Sequence, residues 1–393
     1  MAIRCHLRAD TWTKPFGDAS CDDGLARLRS VGTRGDDAVF DRLRGHEQVV
    51  FCSDPGSGLQ AIIAIHSTAL GPALGGTRCR PYPSVQDALD DVLHLSQAMT
   101  LKNALAGLDH GGGKAVIIGD PATCKTEPLL RAYGRFVQGL GGRYVTAGDM
   151  GISVADLDVV GRESRFVTGR SVVQGGGGDS GVLTAYGVLQ GMRAAATHRW
   201  GSPSLASRTV GVVGLGKVGH RLAGLLVAEG ARVVAVDTDP AAVDRVRVDY
   251  PDIELVETAA ELLSRPLDVL APCAAGGLVD ASVAATVDTE IICGGANNQL
   301  AHPELAQVLA GRGVLYTPDF LVNAGGVIQV ADELVGFSAD RARSRVDRLY
   351  DTTLAVLERA AETGVTPEIA AEGLVTDRIA AVSRLGTIWN RPD

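Results

Sequence analysis

Thr209-Val210-Gly211-Val212-Val213-Gly214-Leu215-Gly216-Lys217-Val218-Gly219-His220 is a short β-branched run that passes through a glycine turn into a helical pattern. In a strand–turn–helix setting, the spacing G-x-G-x-x-G is a dinucleotide-binding fingerprint, and each glycine has its own reason. Gly214 permits the tight turn, Gly216 lets a pyrophosphate approach the backbone, and Gly219 lets helix and strand pack closely. Leu215, Lys217 and Val218 complete a loop whose free N–H groups, at a helix N-terminus, favour an anion. Glycine is frequent here, 49 residues of 393, so the spacing alone also fits a structural turn. The next apolar run, Ala231–Val236, ends on Asp237, at the distance such units require. A carboxylate there accepts hydrogen bonds from ribose hydroxyls and repels a 2′-phosphate, which favours NAD over NADP.

Around this fingerprint, Thr209–Val213, Arg232–Val236, Val269–Ala271, Ile291–Cys293 and Val314–Thr317 alternate with helical stretches. That alternation predicts βαβ units and a parallel sheet covered on both faces. Nearer the N-terminus the pattern differs. Gln48–Cys52 and Leu59–His66 flank the turn-forming run Asp54-Pro55-Gly56-Ser57-Gly58 and read as a hairpin. From Ser84 the period becomes helical, with Val85, Leu89, Val92, Leu95 and Met99 on one face and Ser84 as N-cap, ending near Ala106. The expected fold is α/β, with a first domain that is not a simple nucleotide fold and a Rossmann dinucleotide-binding domain after it. The boundary falls in Gln174–Ser180, where four successive glycines resist any rigid element. Residues 1–178 then form the substrate domain and 179–345 the nucleotide domain. A helix near 340–362 and the tail of segment 346–393 return to pack on the first.

Bulk properties narrow the function. The net charge of −9 offers no basic surface to nucleic acid or an anionic membrane. Apolar runs are too short to span a bilayer, and Met1–His6 lacks the apolar core of a signal peptide. Seven cysteines are scattered without a CxxC pair, which predicts free thiols and a cytoplasmic location, and no His/Cys/Asp cluster has metal-ligand spacing. A small-molecule substrate is the expected partner.

The chemistry-bearing residues lie in the first half. Lys102 sits at an apolar helix end, Met99-Thr100-Leu101-Lys102-Asn103-Ala104, and Lys114 follows the glycine turn 111–113. Two lysines sharing a cleft would depress one another, so that one holds a carboxylate while the other acts as a base. Two solvated surface lysines fit the same pattern. Asp149, in Thr146-Ala147-Gly148-Asp149-Met150, reads equally as a proton carrier or a turn aspartate. His110, beside the glycines, reads as a packing or hydrogen-bonding residue.

These segments resemble the amino-acid dehydrogenase family that includes glutamate, leucine, valine and phenylalanine dehydrogenases, and most closely its valine and leucine branch. The resemblance runs from about Gly45 to about Leu357. It includes Leu70-Gly71-Pro72-Ala73-Leu74-Gly75-Gly76-Thr77-Arg78, Gly295-Ala296-Asn297-Asn298-Gln299-Leu300 and Asn323-Ala324-Gly325-Gly326-Val327. It implies an N-terminal mixed-sheet α/β catalytic domain and a Rossmann domain with a cleft between them, NAD-dependent, reversible oxidative deamination and a homo-oligomer built from dimers. By resemblance Lys102 binds the substrate α-carboxylate, Lys114 activates water and Asp149 exchanges protons with the amine. Asn298 adds a carboxylate contact, and Thr184 and Asn297 contact the nicotinamide amide. Leu74, Gly75, Ala147, Val327 and Val330 line a side-chain pocket without a counter-charge, which suits a branched aliphatic amino acid. Departures from the leucine branch at Gly148, Ala275 and Phe320 are expected to reshape that pocket and leave an aromatic or specialised substrate open. A non-catalytic NAD-binding protein would have no need of the lysine pair.

Overall fold

The computed structural model describes Leu43 and residues 45–383, so the reading of Met1–His6, Cys5 and Cys21 and the ends of the outer segments lie outside the described residues. β1 (Gln48–Asp54) and β2 (Leu59–Ser67) form the expected antiparallel hairpin, with Gln48 opposite Ile65 and Asp54 opposite Leu59. In its turn the Ser57 N–H donates to the Asp54 carboxylate at 3.0 Å and Gly58 takes φ +77°, as a tight reversal demands. β3 (Ala73–Arg80), β4 (Gly111–Ile118) and β5 (Tyr144–Gly148) complete a five-stranded sheet in the order β1-β2-β4-β3-β5. β4 runs antiparallel to β2, whereas β3 is parallel to both β4 and β5, so the sheet is mixed.

α1 (Val85–Leu105) begins where the sequence places it, with the Asp87 N–H donating to Ser84 Oγ at 3.1 Å. It lies on β4 so tightly that the glycines before Lys114 are strand, correcting the expectation of a turn. A Cβ on Gly112 would stand 2.1 Å from Thr100 Oγ1 of the helix, and one on Gly111 would stand 1.8 Å from the Ser67 carbonyl oxygen. Gly112 is needed for helix-on-sheet contact and Gly111 for close approach of the neighbouring strand, neither for a bend. On the other face α2 (Glu127–Gly139) and α3 (Val154–Val160) bury Leu129, Tyr133, Val137 and Leu157 against β1–β5.

α4 (Gly181–Trp200) leads into the second sheet. Its strands are β6 (Thr209–Val213), β7 (Arg232–Val236), β8 (Glu254–Leu255), β9 (Leu267–Pro272), β10 (Thr289–Ile292) and β11 (Leu315–Tyr316). All pair in parallel, in the order β11-β10-β9-β6-β7-β8. Strand order reverses between β6 and β9, and ligands of such sheets bind outside the carboxyl ends of the strands at that point. β8 has no sequence signal because two residues show no periodicity. α5 (Lys217–Ala228), α6 (Pro240–Asp249), α7 (Ala259–Leu263), α8 (Ala281–Thr286) and α9 (Leu305–Gly311) connect the strands.

α10 (Asp319–Val322) and α11 (Gly325–Glu333) follow β11. The helix expected over 340–362 is two helices, α12 (Ala339–Asp347) and α13 (Leu349–Thr363), joined at Arg348. In α14 (Pro367–Ser383), Arg378 donates to the Leu108 carbonyl oxygen at 2.9 Å, tying this helix to the end of α1. Two α/β domains, one with a mixed sheet and one with a parallel Rossmann-like sheet, therefore make up the described chain. Cys52, Cys79, Cys124, Cys273 and Cys293 are free thiols. Among the described residues no helix is long and apolar enough to cross a membrane.

Candidate active site

A cleft of about 280 Å³ lies between the two sheets, floored by β3, β4 and β5 and roofed by α4, α11 and the loop after β10. It brings together Leu74, Gly75, Lys102, Lys114, Ala147, Thr184, Val218, Asn297, Val327 and Val330, residues drawn from both domains. A larger hollow of about 700 Å³ sits far from these residues, between the β1–β2 turn and α2, and holds none of them.

Lys114 is set inside the sheet by β4 and is only 7% exposed. Its Nζ reaches Asp149 Oδ2 at 3.1 Å, just beyond the end of β5. The same oxygen accepts from Arg78 Nε at 3.0 Å, and Arg78 is held in turn by Asp91, which also accepts from Tyr82. Burial works to raise the Asp149 carboxyl, but the two cations outweigh it and hold it below the usual carboxylate range. The site therefore contains an ionised acceptor in contact with Lys114 Nζ.

Lys102 projects from the last turn of α1 to the opposite side of the cleft, where Nζ donates to Asn297 Oδ1 at 3.3 Å. That oxygen also accepts from Asn323 Nδ2 at 2.8 Å, which fixes the amide and turns its NH2 group away from the lysine. Burial pushes Lys102 down to about 8; the buried carboxylate of Asp319 resists this, while Lys114 adds to it. A carboxylate bound beside Lys102 would favour its charged form.

The loop after β10 separates two neighbours. Asn297 lines the cleft, whereas exposed Asn298 does not. Asn298 sits at φ +52° with its carbonyl oxygen accepting from Gly277 N–H at 2.7 Å. Asp319, at the start of α10, steadies this loop by accepting from the Gln299 N–H at 2.9 Å.

Next to the cleft lies the glycine loop 214–219. Leu215 N–H and Asp239 N–H both donate to the Asp237 carboxylate, which fastens the loop to the end of β7. Gly214 takes φ +100° with Ala274 N only 2.6 Å from where a Cβ would stand, and Gly219 meets the Gly214 carbonyl oxygen at 1.8 Å. Around Gly216 nothing lies within 4 Å. The first turn of α5 has no side-chain cap, so its amide groups are free to meet an anion. An open cradle at a helix N-terminus, with an acidic residue at the end of the second strand, fits a nicotinamide dinucleotide.

The same assignment emerges from likeness to other proteins. The family described as Glu/Leu/Phe/Val dehydrogenase, dimerisation domain, matches residues 46–165, and Glutamate/Leucine/Phenylalanine/Valine dehydrogenase matches residues 238–381. A valine dehydrogenase from Streptomyces coelicolor is 57% identical over 86% of this chain and 93% of its own. The chain belongs to the Glu/Leu/Phe/Val dehydrogenase family. A leucine dehydrogenase from Bacillus cereus is 45% identical over 90% of this chain and 96% of its own. The crystal structure of L-tryptophan dehydrogenase from Nostoc punctiforme shares 41% identity with a TM-score of 0.79, covering 88% of this chain and all of that one. A TrkA-N domain also matches residues 210–261, the span that holds the glycine loop.

For a dehydrogenase of this family, the structure adds residues that sequence reading did not assign. Arg78 sits in a quoted motif but is joined to Asp149 only by the pairing of β3 with β5. Gly76 is there for the same closeness, since a Cβ would fall 2.4 Å from the Gly148 carbonyl oxygen. Met99, Ser180, Gly295, Asn323 and Gly326 also line the cleft. Of the three departures expected to reshape the pocket, Gly148 lines it; exposed Ala275 and Phe320, packed on the core, do not. His110 Nδ1 lies 3.1 Å from the Pro72 carbonyl oxygen, which can only accept, so the ring donates there through Nδ1–H.

The glycine loop yields a contrast that can be measured. Gly219→Ala is expected to lower stability by about 1–3 kcal/mol, because the new methyl must displace backbone. Gly216→Ala is expected to leave the melting temperature within about 2 °C and to weaken dinucleotide binding at least about tenfold, since the methyl fills space reserved for the pyrophosphate. Thermal melts with and without dinucleotide read both effects. Equal destabilisation by the two substitutions would contradict the division of roles.

Proposed function

We propose that the protein catalyses NAD-dependent, reversible oxidative deamination of a valine-like branched aliphatic L-amino acid to its 2-oxo acid and ammonia. The observation that carries this reading is the meeting of Lys102, Lys114 and an apolar wall in one cleft beside the glycine cradle. Residues 1–178 with the C-terminal helices serve as the substrate domain, and residues 179–345 as the nucleotide domain.

The chemistry follows from what each side chain can do. Lys102, charged, holds the α-carboxylate. The substrate side chain lies against Leu74, Ala147, Val327 and Val330, where no cation meets an acidic group. The cradle at 214–219, Asp237, Thr184 and Asn297 would hold a nicotinamide dinucleotide, which when bound supplies the two-electron acceptor for the Cα hydrogen. Lys114, once neutral, takes a proton from water as the water oxygen adds to the substrate's iminium carbon. Asp149, having first taken a proton from the substrate ammonium, returns it to the amine nitrogen and takes the hydroxyl proton as ammonia leaves and the 2-oxo acid forms. Arg78 keeps Asp149 ionised between turnovers. Asp237, already an acceptor of two backbone N–H groups, favours NAD over NADP because a 2′-phosphate beside it would meet like charge.

The likeness of residues 46–165 to a dimerisation domain supports a homo-oligomer built from dimers. A cytoplasmic setting suits the free thiols. The test is reduced-cofactor formation from NAD⁺ or NADP⁺ with L-valine, L-leucine, L-isoleucine, L-phenylalanine and L-tryptophan. Aliphatic kcat/KM at least about tenfold above aromatic, with NAD⁺ preferred, is the expected result. A preference for phenylalanine or tryptophan would overturn the substrate class, and equal use of NADP⁺ would overturn the role of Asp237.

A further inference from the structure

Val327, Val330 and Glu333 recur every three residues along α11 and so share one face of the helix. The two valines face the cleft; Glu333, at the helix end, stands outside it. Its carboxylate is nevertheless fully engaged. Oε2 accepts from Gly169 N–H at 2.6 Å, and Oε1 accepts from Gly177 N–H at 2.7 Å. The Thr168 hydroxyl lies 2.6 Å from both Oε2 and the Val330 carbonyl oxygen and shares its single proton between them.

These partners lead directly to the opposite wall. The Thr168 N–H donates to the Thr146 carbonyl oxygen at 2.9 Å, so residues 167 and 168 run along the edge of β5, the strand that carries Ala147 and Gly148. Gly169, at φ +75°, sits between the walls. A Cβ on it would find Gly148 N at 3.6 Å and Val330 Cγ1 at 3.8 Å. At its other oxygen Glu333 holds the glycine run that joins the domains, and Gln329 Nε2 holds the same run through the Gly178 carbonyl oxygen at 3.1 Å. Ionised acceptors make the stronger class of hydrogen bond, and this carboxylate has no cation to draw it elsewhere among its hydrogen-bond partners.

We propose that Glu333 is a specificity-determining positioning residue, which sets the width of the apolar end of the substrate cleft from outside by tying α11 to the edge of β5. This rests on the reading that these walls receive the substrate side chain. Without the carboxylate, the end of α11 is free to move away from β5, and Val330 moves with it. The pocket then loses its fit to a small branched side chain and gains room for a larger one.

The experiment compares parent enzyme with Glu333→Gln, Glu333→Asp and Glu333→Ala, measuring kcat/KM for L-valine, L-leucine and L-phenylalanine. The ratio of valine to phenylalanine is expected to fall at least tenfold in Glu333→Ala and less in Glu333→Gln, which keeps the length but places NH2 opposite an N–H donor. Because all substrates meet the same active fraction, partial unfolding leaves this ratio untouched. A uniform fall in kcat/KM, with ratios within twofold of the parent, would overturn the proposal, and so would unchanged kinetics. A parent that prefers phenylalanine would defeat the aliphatic reading alone. The width argument still requires the variants to shift toward the bulkier side chain.

Discussion

Replacing Lys114 with Met is expected to lower kcat for amino-acid oxidation by about 10²–10⁴-fold, the usual contribution of a positioned general base. Met keeps most of the length of the apolar stem within β4 and removes only the ammonium. Asp149 then retains Arg78 at 3.0 Å, so no buried charge is orphaned and the protein should remain folded. Lys114→Arg separates charge from basicity, because a guanidinium stays protonated at any working pH. It preserves the cation beside Asp149 but supplies no base, so its kcat should fall nearly as far. Steady-state kinetics with the preferred amino acid, beside circular dichroism of each variant, provides the check. An arginine variant with more than about a tenth of parental kcat would remove Lys114 from the base role and leave it as a structural partner of Asp149.

Lys102→Met is expected to raise the Ki of a simple branched carboxylate such as 3-methylbutanoate by about 10–100-fold, the value of a hydrogen bond to a charged group. The pH dependence is the sharper signature. Lys102 is pushed down to about 8, chiefly by burial, with Lys114 adding to the effect and Asp319 and Asp149 opposing it. Below that pH the ammonium is present and attracts the carboxylate; above it the free site is neutral and must take up a proton on binding. Carboxylate affinity should therefore weaken as pH rises through about 8, with a limiting slope of about tenfold per unit. In Lys102→Met that segment of the profile should be flat. A parental Ki that does not change between pH 7 and 10 would mean that Lys102 does not hold the carboxylate.

Local order was legible wherever short-range chemistry decides structure. The β1–β2 hairpin follows from Asp54–Gly58 between two apolar runs, and the start of α1 from the Ser84 hydroxyl. The glycine loop, with Asp237 at the end of the next strand, is legible for the same reason: neighbouring residues suffice to make the turn. The glycines before Lys114 show where such reading ends. They suggest a turn to any local rule, yet they form a central strand, because α1 packs there with Thr100 almost upon them.

The composition of the site was partly visible, but its connections were not. Resemblance singles out Lys102, Lys114 and Asp149, while nothing along the chain reveals that Arg78 and Lys114 share one oxygen of Asp149. Nor can the sequence choose between Asn297 and Asn298, adjacent and identical in type; in the fold it is Asn297 that meets Lys102. Glu333 reads as an ordinary helix-end carboxylate until the fold sets it against Gly169, 164 residues earlier. The sequence by itself thus determined the periodic elements, the dinucleotide loop and the inventory of ionisable groups, since hydrophobic period, capping and turn chemistry act over a few residues. Which of those groups meet, how far burial pushes Lys102 down and how wide the pocket stands were decided only by the tertiary structure. Burial, Coulomb interaction and hydrogen bonding depend on distances in space between residues that the chain itself keeps far apart.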